Sequence, residues 1–162
     1  MKEIKMTKQD RSVALGPARL LHTMLRVSDL DQSLNFYCDI LGMRVLRRED
    51  YPEGRFTLVF VGYGPEENHT VIELTHNWDD QEYEHGNRFG HLALGVADVE
   101  RACDALWNRG VNILRPAGPM KFTSDGGARD RIAFIADPDG TKSSSLNVRR
   151  SPKSRPSHRN LS

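Results

Sequence analysis

One segment of this chain occurs twice, and that repeat limits the folds open to it more than any other feature. Arg19-Leu-Leu-His-Thr-Met-Leu-Arg-Val-Ser-Asp29 returns as Arg88-Phe-Gly-His-Leu-Ala-Leu-Gly-Val-Ala-Asp98. His22 becomes His91, Val27 becomes Val96 and Asp29 becomes Asp98, all at one offset of 69 residues. A duplicated unit implies two similar modules packed with pseudo-symmetry. It also places one imidazole at the equivalent point of each module, which suggests a metal site ahead of two unrelated histidines.

Each copy reads as the same series of elements. Leu20 to Val27 alternates as a strand, with His22 and Arg26 on the face of Leu20 and Met24. Asp29 is placed to cap a helix, with Gln32 completing a capping box. Leu30, Leu34, Tyr37 and Leu41 recur at helical spacing, and Gly42 is the stop. Strand-like runs follow at Arg44–Arg48, Phe56–Tyr63 and Thr70–Asn77, separated by Pro/Gly turn clusters.

The second copy has a strand over Phe89–Val96 and a helix capped by Asp98, carrying Val99, Ala102 and Leu106 and ending at Gly110. Strands at Val111–Leu114 and Arg131–Ala136 flank a long loop from Arg115 to Arg129, and a last strand should begin near Lys142. The expectation is an α+β fold of two tandem βαβββ modules, 19–86 and 87–148, curling around a shared cavity. Residues 1–18 read as a loose extension and 149–162 as a basic, disordered tail.

The totals exclude several classes. A chain of 162 residues fits one compact domain or two small modules sharing a core. No apolar run is long enough to span a bilayer, so no membrane partner is expected. Met1 to Ala18 lacks the apolar centre of a secretory signal. Cys38 and Cys103 lie in helical patterns without metal-ligand spacing, so a reducing cytoplasm is the expected location. The net charge of +1 conceals an imbalance: residues 141–162 hold six Lys or Arg and no acid, leaving 17 basic and 22 acidic groups in 1–140. That acidic body argues against nucleic acid as a partner. The tail has no aromatic among its basic residues, which disfavours an RNA-binding role for it as well.

Glu73 sits between Ile72 and Leu74 on the last strand of the first module. Alone, such an acid reads as a residue on a solvated face. Beside a duplicated histidine it becomes a ligand candidate, facing across the cavity toward the histidine strands, with Asn77 on the same face four residues on. Two imidazoles and a carboxylate suit Ni, Co, Fe, Mn or Zn.

These residues resemble the glyoxalase I (lactoylglutathione lyase) family of the vicinal-oxygen-chelate superfamily, over roughly Arg19 to Lys142. The resemblance is carried by Leu20-Leu-His-Thr-Met-Leu-Arg-Val27, Phe36-Tyr37, Leu41-Gly-Met43, Phe60-Val-Gly-Tyr-Gly-Pro65, Val71-Ile-Glu-Leu-Thr75, Gly90-His91, Ala117-Gly-Pro-Met-Lys121 and Asp137-Pro-Asp-Gly140. It implies a homodimer that isomerises the hemithioacetal of methylglyoxal and glutathione to S-lactoylglutathione. His22, Glu73 and His91 are then metal ligands, shared between subunits, and the short bacterial-type form prefers Ni or Co over Zn. Arg26, Asn77 and Lys121, with His91, are on the substrate-binding side; Arg26 would hold a glutathione carboxylate. The metal stabilises enediolate charge and a neighbouring carboxylate moves the proton.

The chain departs from that pattern in its last strand. After Asp-Pro-Asp-Gly the family pattern reads Tyr-Lys-Ile-Glu-Leu, with Glu as ligand and base; here Thr141-Lys-Ser-Ser-Ser-Leu146 places Ser144 at the Glu. A serine hydroxyl is a poor ligand and no base near neutral pH, so no intact catalytic base is expected. A one-base deletion at codon 141 accounts for the change. Plausible codons for Gly-Tyr-Lys-Ile-Glu-Leu-Ile-Glu, read one base out of frame, give Gly-Thr-Lys-Ser-Ser-Ser-Leu-Asn, the residues at 140–147. Seven serines, six basic residues and two prolines in the last 22 positions fit such a tail. A frayed C-terminus and lower stability are expected. The rival readings are another metal-dependent enzyme of the superfamily, a dioxygenase or thiol transferase, and a small-ligand-binding module without chemistry.

Overall fold

The computed structural model describes residues 18–79, 82–84, 86–122 and 130–140, together with the backbone of 144–148. The proposed extension at the N-terminus and the basic tail therefore lie outside the described residues, apart from Ala18.

Each copy opens on a strand, β1 (His22–Arg26) and β5 (Leu92–Val96). In β1 the alternation is realised directly: Leu25 is buried, as is Val27 just past the strand end, while His22, Met24 and Arg26 occupy the opposite, open face. Asp29 then caps α1 (Leu30–Leu34), accepting from the Gln32 N–H at 2.9 Å. The Gln32 side chain donates to the other Asp29 carboxylate oxygen at 2.9 Å, rather than closing a capping box on the backbone. Those Gln32 donors hold the Asp29 carboxyl below its ordinary range. In place of an uninterrupted α-helix to Leu41, α1 widens into a π-helical segment over Asn35–Ile40. Phe36 and Tyr37 are consequently the deeply buried pair, with Leu34 and Leu41 at the margin.

The second helix, α2 (Val99–Trp107), is capped by Asp98, which accepts from the Arg101 N–H at 2.9 Å. Gly42 and Gly110 follow the two helices with φ of +77° and +78°. Both sit in the left-handed conformation that ends a helix and that a side chain would strain.

The first sheet adds β2 (Arg44–Tyr51), β3 (Phe56–Gly62) and β4 (Val71–Asn77) in the order β1-β4-β3-β2. The second adds β6 (Ile113–Pro119), β7 (Arg131–Ile135) and β8 (Ser144–Val148) in the order β5-β8-β7-β6. In both, the first strand runs parallel to the last and the other pairings are antiparallel. Even the irregularities repeat, with a register shift around Leu46 in β2 and another around Leu114 in β6. The fold is α+β, as the duplicated pattern implied.

Two strands run past their expected ends for a clear reason. β2 runs on to Tyr51, and β6 continues through Pro116, Gly118 and Pro119, residues that read as loop. Both are edge strands, with one side unpaired within the sheet, so prolines and bulges cost them few ladder bonds. β8 begins at Ser144 and pairs with both β5 and β7.

Val27, Val59, Leu74, Val99, Ala133 and Ile135 belong to one apolar cluster that spans both modules. A polar tie crosses the same boundary: buried Tyr37 donates its hydroxyl proton to Asp137 at 3.0 Å. The Ser28 N–H donates to Asp139 at 3.0 Å, and the Ser28 hydroxyl bonds the same oxygen. The Asp137-Pro-Asp-Gly140 turn thus anchors the second module to the helix of the first. Tyr37→Phe removes a buried donor and should destabilise the fold by about 1–3 kcal/mol, read as a lower urea midpoint with an unchanged slope. Among the described residues, no helix is long and apolar enough to cross a membrane.

Candidate metal centre

The cross-strand register aligns four side chains in a row across the first sheet. Met24 on β1 pairs with Glu73 on β4, Glu73 with Phe60 on β3, and Phe60 with Arg47 on β2. His22 leans onto this row, its Nε2 lying 3.1 Å from Glu73 Oε2. Its ring meets Phe60 edge-on, with centroids 5.6 Å apart. Glu73 was expected to face His22 across a cavity. It lies beside it instead, because β1 and β4 are neighbouring parallel strands of one sheet.

The imidazole remains 40% exposed and the carboxylate 14%. A ring nitrogen and a carboxylate oxygen converge there, a donor pair that fits a divalent cation of the Ni, Co or Zn type. The same pair, without an ion, is a His–Glu hydrogen bond.

His91 does not join it. It repeats the arrangement in the second sheet, edge-on to Phe134 with centroids 5.3 Å apart. Among the described residues, no three His, Cys, Asp or Glu side chains gather into a metal-binding group. Within one chain, among the described residues, His91 stands apart from the His22–Glu73 pair. Each imidazole serves its own sheet.

Pairing in the second sheet also revises the position of the missing acid. Ala93 pairs with Ser145, Ser145 with Phe134, and Phe134 with Arg115, the row equivalent to Met24–Glu73–Phe60–Arg47. By backbone register Ser145, one residue beyond Ser144, is therefore the counterpart of Glu73; the side chains of both serines lie outside the described residues. In this register Leu146 pairs with Ala133, which is fully buried. A one-residue slip in this backbone register would exchange the two faces of β8.

Arg26 and Asn77 come together at a residue the sequence did not single out. The Asn77 amide donates to the Tyr83 hydroxyl at 2.8 Å, and the Arg26 guanidinium carbon lies 5.9 Å from the Tyr83 ring centroid. Asn77, Trp78, Glu82 and Tyr83 line a cleft of about 390 Å³ with Val27 and Ser28. Tyr83 lies in an irregular stretch after β4, where no periodicity marks it. Lys121 stands on the bend after β6, its Nζ 5.3 Å from the Phe122 ring, and is not among the residues lining that cleft. Burial, aided by Asp39, pushes the Cys38 thiol up, away from nucleophilic use near neutral pH.

Fold and site together define a class: duplicated βαβββ proteins with an imidazole at the start of, or immediately before, the first strand of each module. The Glyoxalase/Bleomycin resistance protein/Dioxygenase superfamily matches residues 19–143, and the chain belongs to that family. It is 57% identical over 123 residues to a probable lactoylglutathione lyase of Synechocystis, covering 76% of this chain and 90% of that protein. The lactoylglutathione lyase of Neisseria meningitidis is 56% identical over 124 residues, covering 76% and 86%. Among solved structures, the trypanothione-dependent glyoxalase I of Leishmania major superposes with a TM-score of 0.65 at 42% identity, over 82% of this chain and 86% of that one. Glyoxalase I of Zea mays superposes with a TM-score of 0.73 at 36% identity; this chain spans 45% of its length and 82% of its own.

Proposed function

We propose that this chain is a lactoylglutathione lyase that isomerises the methylglyoxal–glutathione hemithioacetal to S-lactoylglutathione. On this reading it is a cytoplasmic methylglyoxal-detoxifying enzyme whose active unit is a homodimer. The observation that carries the reading is the His22–Glu73 pair at 3.1 Å on an open sheet face. Relatives named lactoylglutathione lyase at 56–57% identity support the substrate class.

Each chain offers two half-centres, one on each sheet. In a two-fold dimer, His22 and Glu73 of one protomer would meet His91 of its partner, and these residues would hold a divalent metal, Ni or Co in preference to Zn. When bound, that ion supplies Lewis-acid stabilisation of the negative charge developing on the substrate oxygens. With serine where the family pattern has its base, Glu73 is the remaining carboxylate that would accept the substrate C–H proton and return it to the adjacent carbon. Arg26 binds a glutathione carboxylate, Asn77 and the Tyr83 hydroxyl hold the neighbouring amide, and Lys121 contributes from the other module. With serine in the second site row, one carboxylate serves where the family pattern has two, and turnover is low.

Arg26→Ala removes a charge-assisted bond to substrate and should raise KM about 10- to 100-fold with a much smaller change in kcat. Ultraviolet detection of S-lactoylglutathione, combined with metal analysis and light scattering, tests the whole reading. Metal and turnover in a dimer support it. Metal without turnover leaves another metal-dependent enzyme of the superfamily, a dioxygenase or thiol transferase. A metal-free monomer overturns both.

A further inference from the structure

Phe60 stands between the Arg47 guanidinium and the His22 imidazole. Its buried ring carries the Arg47 guanidinium on one face, 3.6 Å from guanidinium carbon to centroid, and meets His22 with its edge at an interplanar angle of 77°. Arg47 is itself held at three points. Its Nε and Nη2 donate to the two Glu66 oxygens at 3.1 and 3.2 Å, and its Nη1 donates to Glu49 at 2.7 Å. Glu49 in turn accepts from the Tyr51 hydroxyl at 2.6 Å. A planar fork bound on three donors cannot swing away from the ring beneath it.

We propose that Arg47 is a positioning residue for His22, acting through Phe60, with Glu66 as its anchor. His22 is half-exposed and gripped by Glu73 at one nitrogen, so that bond alone leaves its ring free to tilt. Packing of Phe60 under Arg47 presents a fixed aromatic ring against which the imidazole settles. This gives a role to the Gly62-Tyr-Gly-Pro-Glu66 turn, which brings Glu66 back over β2. The second module provides an internal control. Arg115 is the register partner of Phe134, yet its guanidinium donates to the Pro119 carbonyl at 2.8 Å. His91 has the aromatic edge and the equivalent arginine is turned elsewhere, so the arginine arm belongs to the first module.

The inference rests on the proposed role of His22 as a ligand, and the experiment separates the two. Histidine ring resonances are recorded for the metal-free protein with isotopically labelled imidazoles, followed by titration with Ni(II) alone. Arg47→Met should broaden or shift the His22 resonance, leave His91 in place, and weaken Ni(II) binding about tenfold, the size typical of groups that orient a ligand. Arg47→Lys keeps the charge without the fork and should resemble Arg47→Met. Glu66→Gln, which leaves β2 and Phe60 intact, should produce the same His22 effect in smaller measure. Arg115→Met should leave His22 unmoved. An unchanged His22 resonance in both Arg47→Met and Glu66→Gln overturns the proposal, as does a joint shift of His22 and His91. Wild-type protein that binds no Ni(II) while Arg47→Met still loosens His22 overturns the metal reading and upholds the positioning role.

Discussion

Ser145→Glu should raise turnover by about 10²–10⁴-fold, the usual contribution of a positioned general base. Ser144→Glu should raise it far less. The difference rests on register: Ser145 pairs with Phe134 and Ala93 as Glu73 pairs with Phe60 and Met24. A glutamate at 145 stands in the row that His91 overlooks, whereas one at 144 pairs with Leu92 and Ile135 in the adjoining row. Ile135 is fully buried, so an acid beside it faces desolvation without a partner. Initial rates of S-lactoylglutathione formation, with Ni(II) affinity measured in parallel, check this. Equal gains from the two variants would mean that β8 shifts register to suit its acid.

The second large effect is a loss. Glu73→Gln keeps the shape and the hydrogen-bonding capacity of the side chain and removes its charge and basicity. In the Ser145→Glu background it should lower kcat about 10²–10⁴-fold. It should also weaken Ni(II) binding, since an amide oxygen is a poorer donor than a carboxylate. The thermal midpoint should barely move, because Glu73 lies on the open face, outside the apolar cluster. A variant with full activity would remove Glu73 from the chemistry altogether. Reading the gene in the adjacent frame from codon 141 adds a test that needs no protein: an Ile-Glu-Leu there identifies the serine run as a frame error, and its absence ends that explanation.

Much of this architecture is legible along the chain. Equal spacing of His22/His91 and Asp29/Asp98 announces a duplicated module, because a strand and its following cap are local features. Asp29, Asp98, Gly42 and Gly110 mark helix ends through backbone chemistry confined to a few residues, and all four do so in the structure. Relative accessibility in β1 follows simple alternation. The extent of β6 was illegible, since Pro116, Gly118 and Pro119 are tolerated there only because the strand lies at a sheet edge. Tyr83 was illegible for a different reason: its importance comes from touching Asn77, a few residues before it, and Arg26, far back on β1.

The chain alone therefore determined the repeat, the order of elements, the α+β class and the donor types available to a metal. Tertiary structure decided which donors meet. It set Glu73 beside His22 rather than across from it, kept His91 in a separate sheet, and made Ser145 rather than Ser144 the counterpart of Glu73. The physical reason is that strand neighbours and register arise from long-range pairing and burial of apolar rows. A single-residue slip there exchanges faces, and nothing in the local spacing of residues records which slip is taken.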